Sequence, residues 1–228
     1  GWERHVNRFN WVSNAEARGH ISRGVTPPMT GSMTANIHRL AIDAQLTTEI
    51  FGALCPAMPD RALDLADLPI RTTADGHAIH AAQFYVLLYS LATQIDPALS
   101  GRDQAIWLCA TARRYLPNTS KAADIVDFVL ADFQENPDPT DWERTRGRIH
   151  DRYQLHAAEN GFEYRGWTES SINFACGVMA LLYGGLDYRR TVQIGAMSGW
   201  DSDNATATLG GLIGLTLGMD GLRAQFPG

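Results

Sequence analysis

Two carboxylates flank one serine near the end of the chain, and a carboxamide follows at once, in Gly199-Trp200-Asp201-Ser202-Asp203-Asn204. Inside a regular helix, positions i and i+2 point in different directions. In the turn ahead of a helix, Asp201 and Asp203 can converge, and Asn204 adds a neutral oxygen. Oxygen-only ligands suit Mg²⁺, Mn²⁺ or Ca²⁺ rather than Zn²⁺. A competing role is simpler. Either aspartate can cap the helix, accepting backbone N–H bonds and complementing its dipole. Spacing alone leaves both roles open. The helix that follows opens on small residues, and Gly210, Gly214 and Gly218 recur every four positions. That spacing predicts a smooth ridge on which the helix packs deep among its neighbours.

Other chemistry is sparser. His77 and His80 have a spacing that could clasp a metal from one helical face, without an obvious third ligand nearby. There is no Gly-x-Ser-x-Gly elbow, P-loop or dinucleotide fingerprint. Cys55, Cys109 and Cys176 each lie in an apolar stretch and read as small core residues. Arg144, Arg146 and Arg148 read as a solvated helix face. Glu49 stands on an otherwise apolar segment, as a partner for a buried arginine or as a pocket group. The loop from Gly24 to Ser32 holds two prolines, and Gly31 permits close backbone approach.

The elements that must carry these residues are helical. Period-2 alternation and hairpin turns are missing, whereas three- and four-residue apolar steps are frequent. Helices are expected at Thr34 to Leu54, Asp60 to Leu68, Asp75 to Ile95, Arg102 to Tyr115 and Ser120 to Phe133. Thr140 to Glu143 has capping-box spacing and should open a helix to about His156. Further helices are expected at Thr168 to Tyr183, Tyr188 to Met197 and Asn204 to Leu217. The fold class is therefore all-α, a single compact multi-helix domain over residues 1–228. The 228 residues suffice for one well-filled core. A formal net charge of -6 argues against broad nucleic-acid binding. Three widely spaced cysteines fit a reducing, cytoplasmic setting. No stretch reads as a membrane span. The chain opens on Gly1 within polar sequence and closes on Phe226-Pro227-Gly228, and reads as a truncated or processed part of a longer protein.

Taken together, these segments resemble the ADP-ribosylglycohydrolase family, the group that includes the dinitrogenase-reductase-activating glycohydrolase. Its members carry Gly-Gly/Trp/Tyr-Asp-Thr-Asp, then Thr, Ser, Cys or Asn, then a glycine-spaced helix. Gly199 to Asn204, with Gly210, Gly211 and Gly214, fits that pattern. Pro27 to Ser32 resembles a Pro-Pro-x-Ser-Gly-Ser loop of one branch. Ala44 to Gly52 resembles that branch's Ala-Gln-(aliphatic)-x-x-Asp/Glu-x-Trp-Gly segment, and Asp75-Gly76 with Ala81-Ala82-Gln83 its Ser-His-Asp-Gly…Gly-Ala-Gln stretch. The resemblance implies an all-α fold with a pair of Mg²⁺ ions in a central cleft. It makes Asp201, Asp203 and Asn204 metal ligands, and Ser32, Glu49, Asp75 and Gly76 pocket residues. It implies hydrolysis of an N- or O-glycosidic bond to ribose, releasing ADP-ribose from a modified protein or small molecule. The family's Thr-Asp-Asp-type cluster and its usual catalytic acid belong near the N-terminus and do not occur in this chain, so no catalytic residue is assigned. Thr73-Ala74 replaces the usual Ser-His pair, and His80 a tyrosine. These departures keep two alternatives in play: a hydrolase of another N-riboside or nucleoside, and a non-catalytic binding or structural protein on the same fold.

Overall fold

A computed structural model describes residues 10–226. Both chain ends singled out above, Gly1 and Pro227-Gly228, lie outside the described residues. Ten α-helices and no strands occur among the described residues. In chain order they are α1 (Val12–Ser22), α2 (Ile50–Leu54), α3 (Pro59–Ile70), α4 (His77–Leu91), α5 (Gly101–Arg113), α6 (Lys121–Glu135), α7 (Trp142–His150), α8 (Ser170–Gly184), α9 (Tyr188–Met197) and α10 (Ser202–Gln225). A π-helical turn, Asp151–Leu155, continues α7. The all-α expectation holds.

Two helices form the centre. Every residue of α8 is buried, as is nearly all of α4. A helix that is apolar all round has no solvent face to offer and must be surrounded. Around them pack α5, α6, α7, α9 and α10. Phe84, Tyr85 and Phe174 meet edge to face where α4 crosses α8, with ring centroids 5.1 and 5.8 Å from Phe174. Truncating such a fully buried phenylalanine costs about 3–5 kcal/mol.

Helix starts follow side-chain chemistry. Ser120 accepts a hydrogen bond from the Ala123 amide to open α6, and Asp187 accepts from Arg190 to open α9. For α7 the cap falls one residue later than the Thr140 spacing suggests. Asp141 accepts from the Arg144 amide at 3.0 Å, while Thr140 bonds to Asp138.

The expected helix over Thr34 to Leu54 does not form. It is replaced by turns, a 3₁₀ segment at Ile42–Leu46, and the short α2. Buried Asn36 explains the start of the break. Its amide donates to the carbonyls of Ser13 and Thr30, and its oxygen accepts from the His38 amide. That local turn competes with helix. Farther on, Leu40 and Ile42 trade backbone bonds with Thr168 and Ser170, which holds the chain extended at Ala41. The glycine ridge of α10 is also corrected. Gly210 and Gly214 have ordinary room for a Cβ, and Gly218 leaves the helix with φ 64°. The glycine that permits close approach is Gly211, against the Tyr89 hydroxyl.

Candidate metal centre

The N-terminus of α10 is built from a tight turn. Ser198 ends α9, and Gly199 and Trp200 follow with φ 95° and 53°. A tryptophan in the left-handed region costs about 1–3 kcal/mol and persists only where its surroundings hold it there. Asp201 takes the N-cap position, yet its side chain makes no cap hydrogen bond. It is instead hydrogen-bonded to the Asp203 carboxyl. Burial first, then that hydrogen bond and the charges of Asp203 and Asp43, push the Asp201 carboxyl up to about 7. The neighbouring Asp203 carboxyl thus disfavours the charged form of Asp201.

Asp43, from the 3₁₀ segment, is the third acid of this neighbourhood. It is 1% exposed. Its Oδ1 accepts from Asn14 Nδ2 at 2.7 Å, and its buried Oδ2 has no hydrogen-bond partner. Asn204 is buried beside the pair in sequence, and its Nδ2 also lacks a partner. From α8, Asn173 Oδ1 accepts the Asp201 amide at 3.0 Å, while its Nδ2 donates to the carbonyls of Trp167 and Glu169. Asn173 thereby ties the acidic turn to the start of the central helix.

The donor set is all oxygen, and it leaves one buried carboxylate oxygen unpartnered. Both features fit a hard divalent cation. Among the described residues, no three His, Cys, Asp or Glu side chains enclose a ready-made ion cage.

Three of the expected pocket residues, Ser32, Asp75 and Gly76, meet at the proline loop. Asp75 closes the proline loop, with Oδ2 accepting from the Met33 amide at 2.7 Å and Oδ1 from Gly76 at 2.8 Å. Ser32 Oγ contacts Met29 Sδ and Thr34 Oγ1 within that loop. Gly76 has φ 60° at the N-cap of α4. Gly31 lies against the backbone of Arg71 and Ala74, so its close approach is to the protein itself. Glu49 precedes α2. Burial pushes it up to about 7, and its charge is felt by Tyr85 and Tyr89.

Sequence reasoning missed Asp43 and Asn173. The signals were an acid in an apolar stretch and an amide in an apolar helix, both of which demand a partner when buried. The arginines of α7 keep the expected solvated face at Arg144 and Arg148, which are exposed while also pairing with buried Asp132, whereas half-buried Arg146 covers Trp200. His77 is buried opposite Glu169 and is not paired with His80.

No curated protein and no solved structure gives a significant match to the chain. The family model described as ADP-ribosylglycohydrolase matches residues 3–226. That span takes in the proline loop, Asp43, Asn173 and the acidic turn, and the chain therefore belongs to the ADP-ribosylglycohydrolase family.

Proposed function

We propose that the chain hydrolyses the glycosidic bond to ribose in ADP-ribosylated proteins or small molecules, with Mg²⁺ as cofactor. One observation carries this reading. Asp201 and Asp203 turn on each other beside buried Asp43, and the N-cap aspartate leaves the helix amides uncapped. Asp201, Asp203 and Asn204 would hold the ion, and the unpartnered oxygen of Asp43 would face it. The Asn204 amide, turned over, presents an oxygen where the structure has an unpartnered nitrogen. Bound there, the ion supplies Lewis-acid orientation of ribose oxygens and a more acidic water.

The chain's own residues do the rest. Asn173 fixes the Asp201 backbone through one hydrogen bond. The carboxylates concentrate negative charge where departure of the leaving group makes the ribose C1 positive. The Asp75-closed loop is the rigid element offered for substrate contact.

Calorimetric titration of Mg²⁺ into the wild type and Asp203→Ala tests the metal. Equal binding by the two would remove it. Release of ADP-ribose from an ADP-ribosylated protein, set beside release of ribose from simple nucleosides, tests the substrate. Turnover of nucleosides alone would replace the substrate assignment.

A further inference from the structure

The acidic turn is gripped from outside by α7 and the π turn that follows it. Arg146 Nε donates to the Ser198 carbonyl at 2.8 Å. Its guanidinium lies 4.8 Å from the centre of the Trp200 ring. A Cβ on Gly199 would meet the same guanidinium at 3.1 Å, so the turn closes directly onto the arginine. From the π turn, Gln154 Oε1 accepts the Trp200 indole N–H at 2.7 Å. His150 completes the surround, with its ring 6.0 Å from the indole. The carbonyl before the turn, the face of the indole and its N–H are thus all held by one helix.

We infer that Arg146 and Gln154 are positioning residues for the metal centre. They hold Trp200 in its left-handed conformation, and that conformation sets the direction in which Asp201 leaves the turn. Arg146 reaches the Ser198 carbonyl and the Trp200 ring together, which a planar guanidinium does and a shorter neutral side chain does not. The π turn has its own part. Widening the helix by one residue brings Gln154 to the indole, and π turns recur where a helix must re-aim a side chain. This inference rests on Asp201 and Asp203 being ligands, and its test separates the two ideas.

The test measures Mg²⁺ affinity by calorimetry, and melting temperature without metal, for wild type, Asp203→Ala, Arg146→Ala, Arg146→Lys and Gln154→Ala. Residues that orient metal ligands typically change metal affinity by about 10–100-fold. Arg146→Ala and Gln154→Ala should weaken Mg²⁺ binding by about that factor with metal-free melting little changed. Arg146→Lys should recover part of the affinity, because it restores the cation over the ring. In a double-mutant cycle, Arg146→Ala and Trp200→Ala should be strongly non-additive in Mg²⁺ affinity. Loss of binding in Asp203→Ala with wild-type affinity in both Arg146 variants and Gln154→Ala would overturn the inference and leave the metal site intact. Unchanged binding in Asp203→Ala would overturn both. If Arg146→Ala does not fold, Arg146→Lys and Gln154→Ala decide the matter.

Discussion

His77 Nε2 and Glu169 Oε1 lie 3.9 Å apart, both side chains buried and neither atom hydrogen-bonded. The two join the start of α4 to the start of α8. An ion pair would pull the imidazole up and the carboxyl down. Burial acts the other way on both and is the larger effect. It lowers His77 from 6.5 to about 4, with Lys121 adding to the shift, and raises Glu169 from 4.5 to about 7. Between about pH 4 and 7 both side chains are therefore uncharged in the folded protein.

A pH dependence of stability follows. The folded His77 holds its proton less well than the unfolded one, so its contribution is present above pH 6.5 and is lost as pH falls toward about 4. The folded Glu169 holds its proton more tightly, so its contribution is present below pH 4.5 and is lost as pH rises through about 7. Each is worth on the order of 3 kcal/mol at the limit of its window. Between pH 4.5 and 6.5 the two contributions oppose each other, and Glu49 and Asp201 are raised in the same direction as Glu169, so melting temperature should fall as pH rises from about 4.5 to 7. Glu169→Gln should make that fall shallower, and His77→Gln should make it steeper. A Glu169→Gln profile parallel to wild type across pH 4 to 8 contradicts the neutral pair.

Asp43→Asn should weaken Mg²⁺ binding by at least about tenfold, comparable to disturbing the support of a metal ligand. Asn14 reaches only the other oxygen, so the fold should survive the change. Titration calorimetry reads the affinity, and circular dichroism the fold. Wild-type affinity would place Asp43 outside the centre.

Gly211 and Gly214 should respond oppositely to alanine. A methyl at Gly211 runs into the Tyr89 hydroxyl, which is itself bonded to the Thr208 carbonyl at 2.7 Å. Overpacking of that kind costs about 1–3 kcal/mol. At Gly214 a methyl meets only Leu222 at 3.6 Å, and alanine should gain about 0.5–1 kcal/mol from helix propensity. Chemical denaturation of the two variants distinguishes them, and equal stabilities would refute the packing argument.

Asp75→Ala should loosen the proline loop. Both carboxylate oxygens serve backbone amides, so the loss is about 1–3 kcal/mol for the pair. Limited proteolysis should then cut between Met29 and Thr34 sooner than in wild type. An unchanged cleavage rate would mean that the prolines alone keep the loop rigid.

Much of this molecule was legible in its sequence where local rules act alone. Ser120 announces its helix by capping, and the Gly184-Gly185 pair closes α8 as a helix-ending pair should, with Gly185 at φ 58°. Legibility ended where distant segments intervene. Asn36 and the Ala41–Glu169 bridge break a periodic stretch that local propensity favours as helix. Asp43 was invisible for the same reason, because its significance comes from Asp201, far away in the chain. For the arginines of α7, spacing gives the exposed face of Arg144 and Arg148 but does not reveal that Asp132 and Trp200 lie beneath it.

The π turn at Asp151–Leu155 carries a constraint of length as well as of identity. Each residue added to or removed from an α-helix rotates everything beyond it by about 100°. Deleting a residue ahead of Gln154 in this turn would swing its carboxamide off the indole while changing composition and charge by one residue at most. Substitutions in this stretch are therefore better tolerated than a change in its residue count, and a one-residue gap would uncouple two helices that share no ligand.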